Sequence, residues 1–159
     1  MTAFAIRPVR DQDGDELRDI LAGVFAEYDG CFFVRSELPE LEAPATSFAA
    51  LDGKLWVAEE NGRILGLVAI VPTADPALVE LRKLYTRREA RGRGLGGMLI
   101  DLVENEARAR GASRVHLWTD TRFETAHRVY EHRGYVRLPE TRELHDASAS
   151  IEYHYEKAL

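Results

Sequence analysis

The stretch ELRKLYTRREARGRGLGGMLIDLVENEARARG, residues 80–111, passes from strand to loop to helix without a break. Val79–Thr86 reads as a strand, the fourth of the chain. Leu95, Met98, Leu99, Leu102 and Val103 then recur at three- and four-residue spacing. That spacing predicts a helix from about Leu95 to Arg110, stopped by Gly111. Between strand and helix lies RGRGLG, residues 91–96, the densest cluster of glycine and arginine in the chain. The first N–H groups of a helix lack intrahelical partners and carry the positive end of its dipole. Glycines let an anion come close to those groups, and arginines add charge and forked donors. A diphosphate suits such a loop.

The charge around this loop points the same way. The 159-residue chain carries a formal net charge of −6, which argues against general nucleic-acid binding. Residues 82–93 run against that balance. Arg82, Lys83, Arg87, Arg88, Arg91 and Arg93 face the single acid Glu89. An acidic protein with one basic patch suggests one local anionic ligand, with a solvated charged turn as the competing account.

With 45% hydrophobic and 30% charged residues, the composition is that of one soluble domain, expected to span residues 1–159. The lone cysteine, Cys31, excludes an intramolecular disulfide and suits a reducing compartment, so a cytoplasmic location is expected. MTAFAIRPVRDQDGDEL has no long apolar run, and no stretch approaches the roughly 20 apolar residues of a spanning helix, so no membrane association is expected.

Working outward, Phe4–Arg7 reads as a short first strand. Leu17, Ile20, Leu21, Val24, Phe25 and Tyr28 then mark a helix beginning at Asp13. Residues 31–52 mix apolar and acidic residues with two prolines and read as a loop with one short helix. Leu55–Glu59 and Arg63–Val71 flank Asn61-Gly62, a strong hairpin signal. Beyond the glycine loop come a strand at Arg114–Thr119, a helix at Glu124–Arg133 stopped by Gly134, and closing strands at Tyr135–Leu138 and Ile151–Glu156. The fold class is therefore α/β, with a central mixed sheet flanked by helices, because the hairpin is antiparallel.

Two nucleotide motifs fit the loop poorly. The pattern GxxxxGK[ST] is absent. Gly92, Gly94 and Gly97 do satisfy GxGxxG, but mid-chain, after a charged turn, and with Asp120 well beyond the spacing expected of a ribose-binding acid.

A broader match remains. Arg91–Gly96 has the form [Q/R]-x-x-G-x-[G/A]. FETAHRVYEHRGYVR, residues 123–137, adds a helix with Ala126, Tyr130 four residues on, then Gly134-Tyr135. With their flanks, residues 79–137 resemble the GNAT superfamily of N-acetyltransferases, and residues 4–71 agree more loosely, by order of elements. The resemblance implies a single GNAT-like domain, a mostly antiparallel sheet with splayed fourth and fifth strands, and acetyl-CoA as co-substrate. The pantetheine arm would lie along Leu84, Tyr85 and Thr86. The pyrophosphate would meet Arg91, Gly92, Arg93, Gly94, Leu95, Gly96 and Gly97. Tyr130 corresponds to the general acid that protonates the departing thiolate, although Phe123, Ala126 and Tyr130 also share a stripe that core residues would make. The family often has Asn where this chain has Phe123. Glu80 matches the catalytic glutamate of some members and is otherwise a strand carboxylate paired with Arg82 or a neighbour. His116 and Asp120 are lesser candidates.

The implied function is acetyl transfer to a primary amine by direct attack, with Glu80 as base and Tyr130 as acid. The alternative is a non-catalytic acyl-CoA-binding module on the same fold. The acceptor, a small molecule or a protein amine, would be framed by Tyr28–Phe48, where Asp29, Glu37, Glu40 and Glu42 accompany Phe32, Phe33 and Phe48. A homodimer is left open. No metal is expected, since the five histidines show no HxxxH or Cys/His pairing. His145, Asp146 and Ser148 lack the elbow a nucleophilic serine needs.

Overall fold

The computed structural model describes residues 4–159. Its elements run β1 (Ala5–Pro8), α1 (Gly14–Phe25), α2 (Pro44–Ala49), β2 (Lys54–Glu60), β3 (Arg63–Pro72), β4 (Leu78–Thr86), α3 (Leu95–Ala109), β5 (Arg114–Asp120), α4 (Glu124–His132), β6 (Val136–Glu143) and β7 (Ile151–Ala158). The strands form one seven-stranded sheet in the order β1-β2-β3-β4-β5-β7-β6. Neighbours are antiparallel except β4 and β5.

The hairpin between β2 and β3 turns on Asn61 and Gly62, at φ 54° and 77°. Both are left-handed, the conformation a two-residue turn needs to match strand twist. Ile64–Val71 of β3 is buried at every position. That follows from its place in the sheet, because a strand covered on both faces reads as a continuous apolar run. On one face Leu65, Val68 and Ile70 join Leu95, Leu99, Ile100 and Val103 of α3. On the other, Ile64, Leu67, Ala69 and Val71 meet Leu17, Ile20, Leu21 and Val24 of α1, with Phe48 of α2.

Three elements depart from the sequence expectation. The first helix ends at Phe25, and Tyr28 lies in the turn that follows. The segment expected as a loop with one short helix holds two single 3₁₀ turns, at Arg35–Glu37 and Pro39–Leu41, before the six-residue α2. The sixth strand runs on to Glu143, past Pro139, because a register shift between Leu138 and Thr141 takes the proline out of the ladder on an edge strand.

The feature that organises everything else is the parting of β4 from β5. Their ladder has three pairs, Leu78↔Arg114, Val79↔Val115 and Glu80↔His116, although β4 continues to Thr86. Against β3, β4 pairs at Tyr85↔Leu67 and then at Arg82↔Ala69, so β4 carries one extra residue. Lys83 sits in this bulge at φ 59°. A bulge bends and over-twists its strand. Here it coincides with the point where β4 leaves β5, and the backbone of Lys83–Thr86 has no strand partner on that side.

The two faces beyond the parting differ. Val115, Leu117, Tyr130 and Tyr155 belong to the core beneath α3 and α4. On the opposite face, Trp118 pairs in register with His154, and Asp120 with Glu152. Segments 31–37 and 144–150 wall this face, tied together by Ser148, whose Oγ accepts the Phe32 N–H at 2.8 Å, and by Glu37, which accepts the Ala147 N–H at 2.8 Å.

Candidate active site

The glycine loop forms one end of a groove of about 230 Å³. Gly94, at φ 78°, is the residue before α3 and turns the chain into the helix. Only a residue that tolerates left-handed backbone does this without strain. The residues that open α3 line the groove, and their N–H groups lack intrahelical partners. Leu84, Tyr85, Thr86, Arg91, Gly92, Gly94, Leu95, Gly96 and Gly97 all line it. Val24 and Tyr28 from the first helix and its turn, and Phe123, Thr125, Ala126 and Val129 at α4, complete the wall.

The arginines are less free than the sequence suggests. Arg91 lines the groove but forks onto Glu27, at 2.5 and 2.8 Å. Arg93 is not part of the lining. Its guanidinium grips Glu60 at 2.5 Å and lies 4.5 Å over the Phe4 ring. Arg87 pairs with Asp19 at 2.8 Å. At the loop end the groove is bounded mainly by the start of α3 and glycine backbone. A cation that sequence reasoning missed, Arg133 at the end of α4, comes against Gly97 so closely that a Cβ there would lie 2.8 Å from its Nη1.

From the groove a narrow cavity of about 50 Å³ follows the parting of β4 and β5. Tyr130 lines it and is only 4% exposed. Its ring centroid lies 5.9 Å from those of both Tyr135 and Tyr155. Burial, with Tyr155 beside it, raises the Tyr130 phenol above its ordinary pKa, so the hydroxyl keeps its proton at any working pH.

Beyond lies a larger chamber of about 590 Å³ on the face opposite α3 and α4. Glu80 lines it, with its side chain 14% exposed and both oxygens tied to Arg82, each at 3.1 Å. Of the acidic rim expected from sequence, Glu37, Glu40 and Phe32 do line the chamber. Glu40 holds Lys83 at 2.7 Å. Glu42 pairs with Arg35 at 2.7 Å, Phe48 is in the core, and neither they nor Asp29 and Phe33 line the chamber.

Asp120 borders both the chamber and the narrow cavity. Burial pushes its carboxyl up, but hydrogen bonds from the Arg122 side chain and backbone N–H prevail and hold it below the usual range. His116 does not reach the chamber. Its Nδ1 lies 2.8 Å from Nε2 of His154, and burial lowers its pKa, so it is neutral. His154 also contacts Glu140 and stacks on Trp118, whose other neighbour is the Arg142 guanidinium.

The carboxylate that sequence reasoning missed is Glu152. It lines the chamber and also the narrow cavity, together with Tyr130. Its Oε1 accepts from Arg142 Nε at 2.7 Å, and no hydrogen bond reaches Oε2 among the described residues. Burial raises its pKa, with Asp120 and Glu80 adding to the rise against the pull of Arg142. The alternation Glu152, His154, Glu156 in IEYHYE was the available signal, but pattern alone does not say which partner strand the polar face meets.

Among the described residues no group of three or more His, Cys, Asp or Glu side chains is arranged to hold a metal ion, and no helix is long and apolar enough to cross a membrane.

Residues 21–135 match the Acetyltransferase (GNAT) family. An uncharacterized N-acetyltransferase of Schizosaccharomyces pombe is 29% identical over 125 residues, covering 78% of this chain and 77% of that one. The rat N-acetyltransferase family 8 member 3 is 29% identical over 103 residues, and there the match spans 62% of this chain and 45% of the relative. Among solved structures, a GNAT-family acetyltransferase from Staphylococcus aureus Mu50 superposes with a TM-score of 0.84 at 18% identity over 99% of both chains. The yncA protein of Salmonella typhimurium, solved with its cofactor acetyl-CoA, gives 0.74 at 18% identity over 99% of this chain and 95% of that one. At such identities the structural likeness is one of fold.

Proposed function

The chain belongs to the Acetyltransferase (GNAT) family, and from that premise we propose that it transfers the acetyl group of acetyl-CoA to a primary amine by direct attack. One observation carries the proposal. The three-pair limit of the β4–β5 ladder opens a cleft, and the cleft joins the groove at the start of α3 to a chamber rimmed with carboxylates. In this scheme the pyrophosphate of the donor meets the N–H groups that open α3. The pantetheine arm lies along Leu84, Tyr85 and Thr86, where β4 lacks a strand partner. The thioester then reaches the narrow cavity beside Tyr130.

The chemistry balances with groups of this chain. An ammonium has no lone pair, so the acceptor first gives a proton to a carboxylate. The neutral nitrogen attacks the thioester carbon, the carbon–sulfur bond breaks, and the electron pair leaves with sulfur. The Tyr130 hydroxyl protonates that sulfur. Glu80 is the base suggested by the family resemblance. A second assignment, Glu152, is favoured by its untied Oε2, its raised pKa and its shared cavity with Tyr130, whereas Arg82 holds both oxygens of Glu80. The chamber carries more carboxylates than cations, which suits a cationic acceptor, either a small amine or an amine on a protein.

The test has two stages. Acetyl-CoA should raise the melting temperature of the protein; no shift at millimolar ligand would sink the proposal. A library of amines is then screened for release of free thiol. Release that needs an added amine and collapses in Tyr130→Phe supports the enzyme. Binding without turnover on any amine would leave an acyl-CoA-binding module instead.

A further inference from the structure

Where β4 leaves β5 the donor groove, the narrow cavity and the acceptor chamber meet, and among the described residues only Tyr85 and Phe123 line all three. Their rings meet edge to face at 6.4 Å and 81°. Phe123 stands just before α4, and its ring is braced by Tyr28 at 5.0 Å and Phe25 at 6.1 Å. Phe25 also contacts Tyr85, at 6.1 Å. The Phe123 backbone is fixed from both sides: its N–H donates to the Asp120 carbonyl at 3.0 Å, and its carbonyl accepts the His127 N–H at 3.1 Å. A ring held this way has little room to swing aside, since packed aromatic clusters resist added volume.

An acyl group arriving along the groove meets an amine arriving from the chamber at this crossing, in a cavity of about 50 Å³. We infer that Phe123, backed by Tyr85, sets the acyl-chain length this protein accepts: an acetyl group fits at the crossing, and a chain of four carbons or more runs into the Phe123 ring. The inference rests on the proposed use of acetyl-CoA and deepens it, by assigning donor selectivity to one side chain. It also gives a role to the phenylalanine that departs from the family's usual residue.

The experiment is titration calorimetry of the full chain with CoA, acetyl-CoA and butyryl-CoA, for the wild type, Phe123→Ala and Phe123→Leu. Binding is the readout, so no acceptor is needed. One misfitted methylene in an apolar pocket costs about 10- to 200-fold. Wild-type protein should therefore bind butyryl-CoA at least about tenfold more weakly than acetyl-CoA. In Phe123→Ala the two should converge to within about twofold, with Phe123→Leu between, each affinity being read relative to that of CoA for the same variant. Should Phe123→Ala fail to fold, the leucine variant decides. Equal affinity for the two acyl-CoAs in the wild type overturns the inference and leaves the donor assignment standing. So does a butyryl penalty that persists in the variants while CoA still binds. Wild-type protein that binds none of the three overturns the donor assignment and the inference with it.

Discussion

The groove at the glycine loop and the larger chamber are built from different materials. The groove is made of backbone: helix-opening N–H groups, left-handed glycines and a strand edge without a partner, lined by apolar side chains. The chamber is made of side chains held in ion pairs: Glu80 with Arg82 within β4, and Glu40 with Lys83 and Glu152 with Arg142 between segments. A site of backbone tolerates many sequences and serves one shared ligand. A site of side chains can be re-specified by a few substitutions. Under the proposed function, a common donor and a private acceptor would lie on either side of a cavity about 50 Å³ in size.

If Tyr130 is the general acid, removing its hydroxyl should have the largest effect. General acid catalysis is worth about 10²- to 10⁴-fold, so Tyr130→Phe should lower kcat by about that factor in the thiol-release assay. Calorimetry should show acetyl-CoA binding unchanged. Weakened donor binding would mean that Tyr130 is a packing residue of the groove.

The next test lies within the chamber. If Glu152 is the base, it works in its ionised form, so kcat/KM falls as pH drops through its raised pKa, above the ordinary glutamate value near 4.3. Glu152→Gln should erase that acidic limb and cost roughly 10²-fold, while Glu80→Gln keeps the limb. The opposite pattern assigns the base to Glu80.

Stability should move the other way. A carboxyl whose folded pKa lies above its unfolded value disfavours folding once it is ionised. The protein therefore gains stability as pH falls through that folded pKa, and Glu152 costs stability at neutral pH. Glu152→Gln should then raise the melting temperature at pH 7 by about 2–4 °C for each 1 kcal/mol relieved. A lower melting temperature would show that the Arg142 pair dominates. Asp120, held below its ordinary pKa, has the reverse sign: its contribution is lost as pH falls through the folded value.

The smallest effect is expected at Arg93, whose charge is engaged by Glu60 outside the groove lining. Arg93→Ala should change the acetyl-CoA Kd by less than about twofold, as surface pairs contribute little. A larger loss would mean that the groove relies on side-chain charge as well as backbone.

The same contrast explains what could be read from the sequence. A backbone site is written contiguously, because strand, turn and helix N-terminus are neighbours in the chain, and RGRGLGG spells out the loop end of the groove. The Asn61-Gly62 hairpin and the Leu95–Val103 stripe are local in the same sense. The chamber is not local. Glu152 reaches it only because β7 pairs with β5 across more than thirty residues of chain. Arg91 and Arg93 looked available because their partners, Glu27 and Glu60, lie 64 and 33 residues away. The bulge at Lys83 has no sequence mark, since neither glycine nor asparagine takes its positive φ.

That bulge has a dynamic consequence. Amide exchange normally runs slow in the middle of a sheet and fast at its edges. Here β4 is central in strand order, yet beyond Glu80 it has an edge of its own, facing the cleft. Those amides of Lys83–Thr86 that are not bonded to β3 should exchange as if they lay on the outside of the molecule. The sheet therefore has a labile seam through its centre, with β1–β4 on one side and β5, β7 and β6 on the other. A ligand laid along that seam would act as a missing strand and make the two halves protect one another.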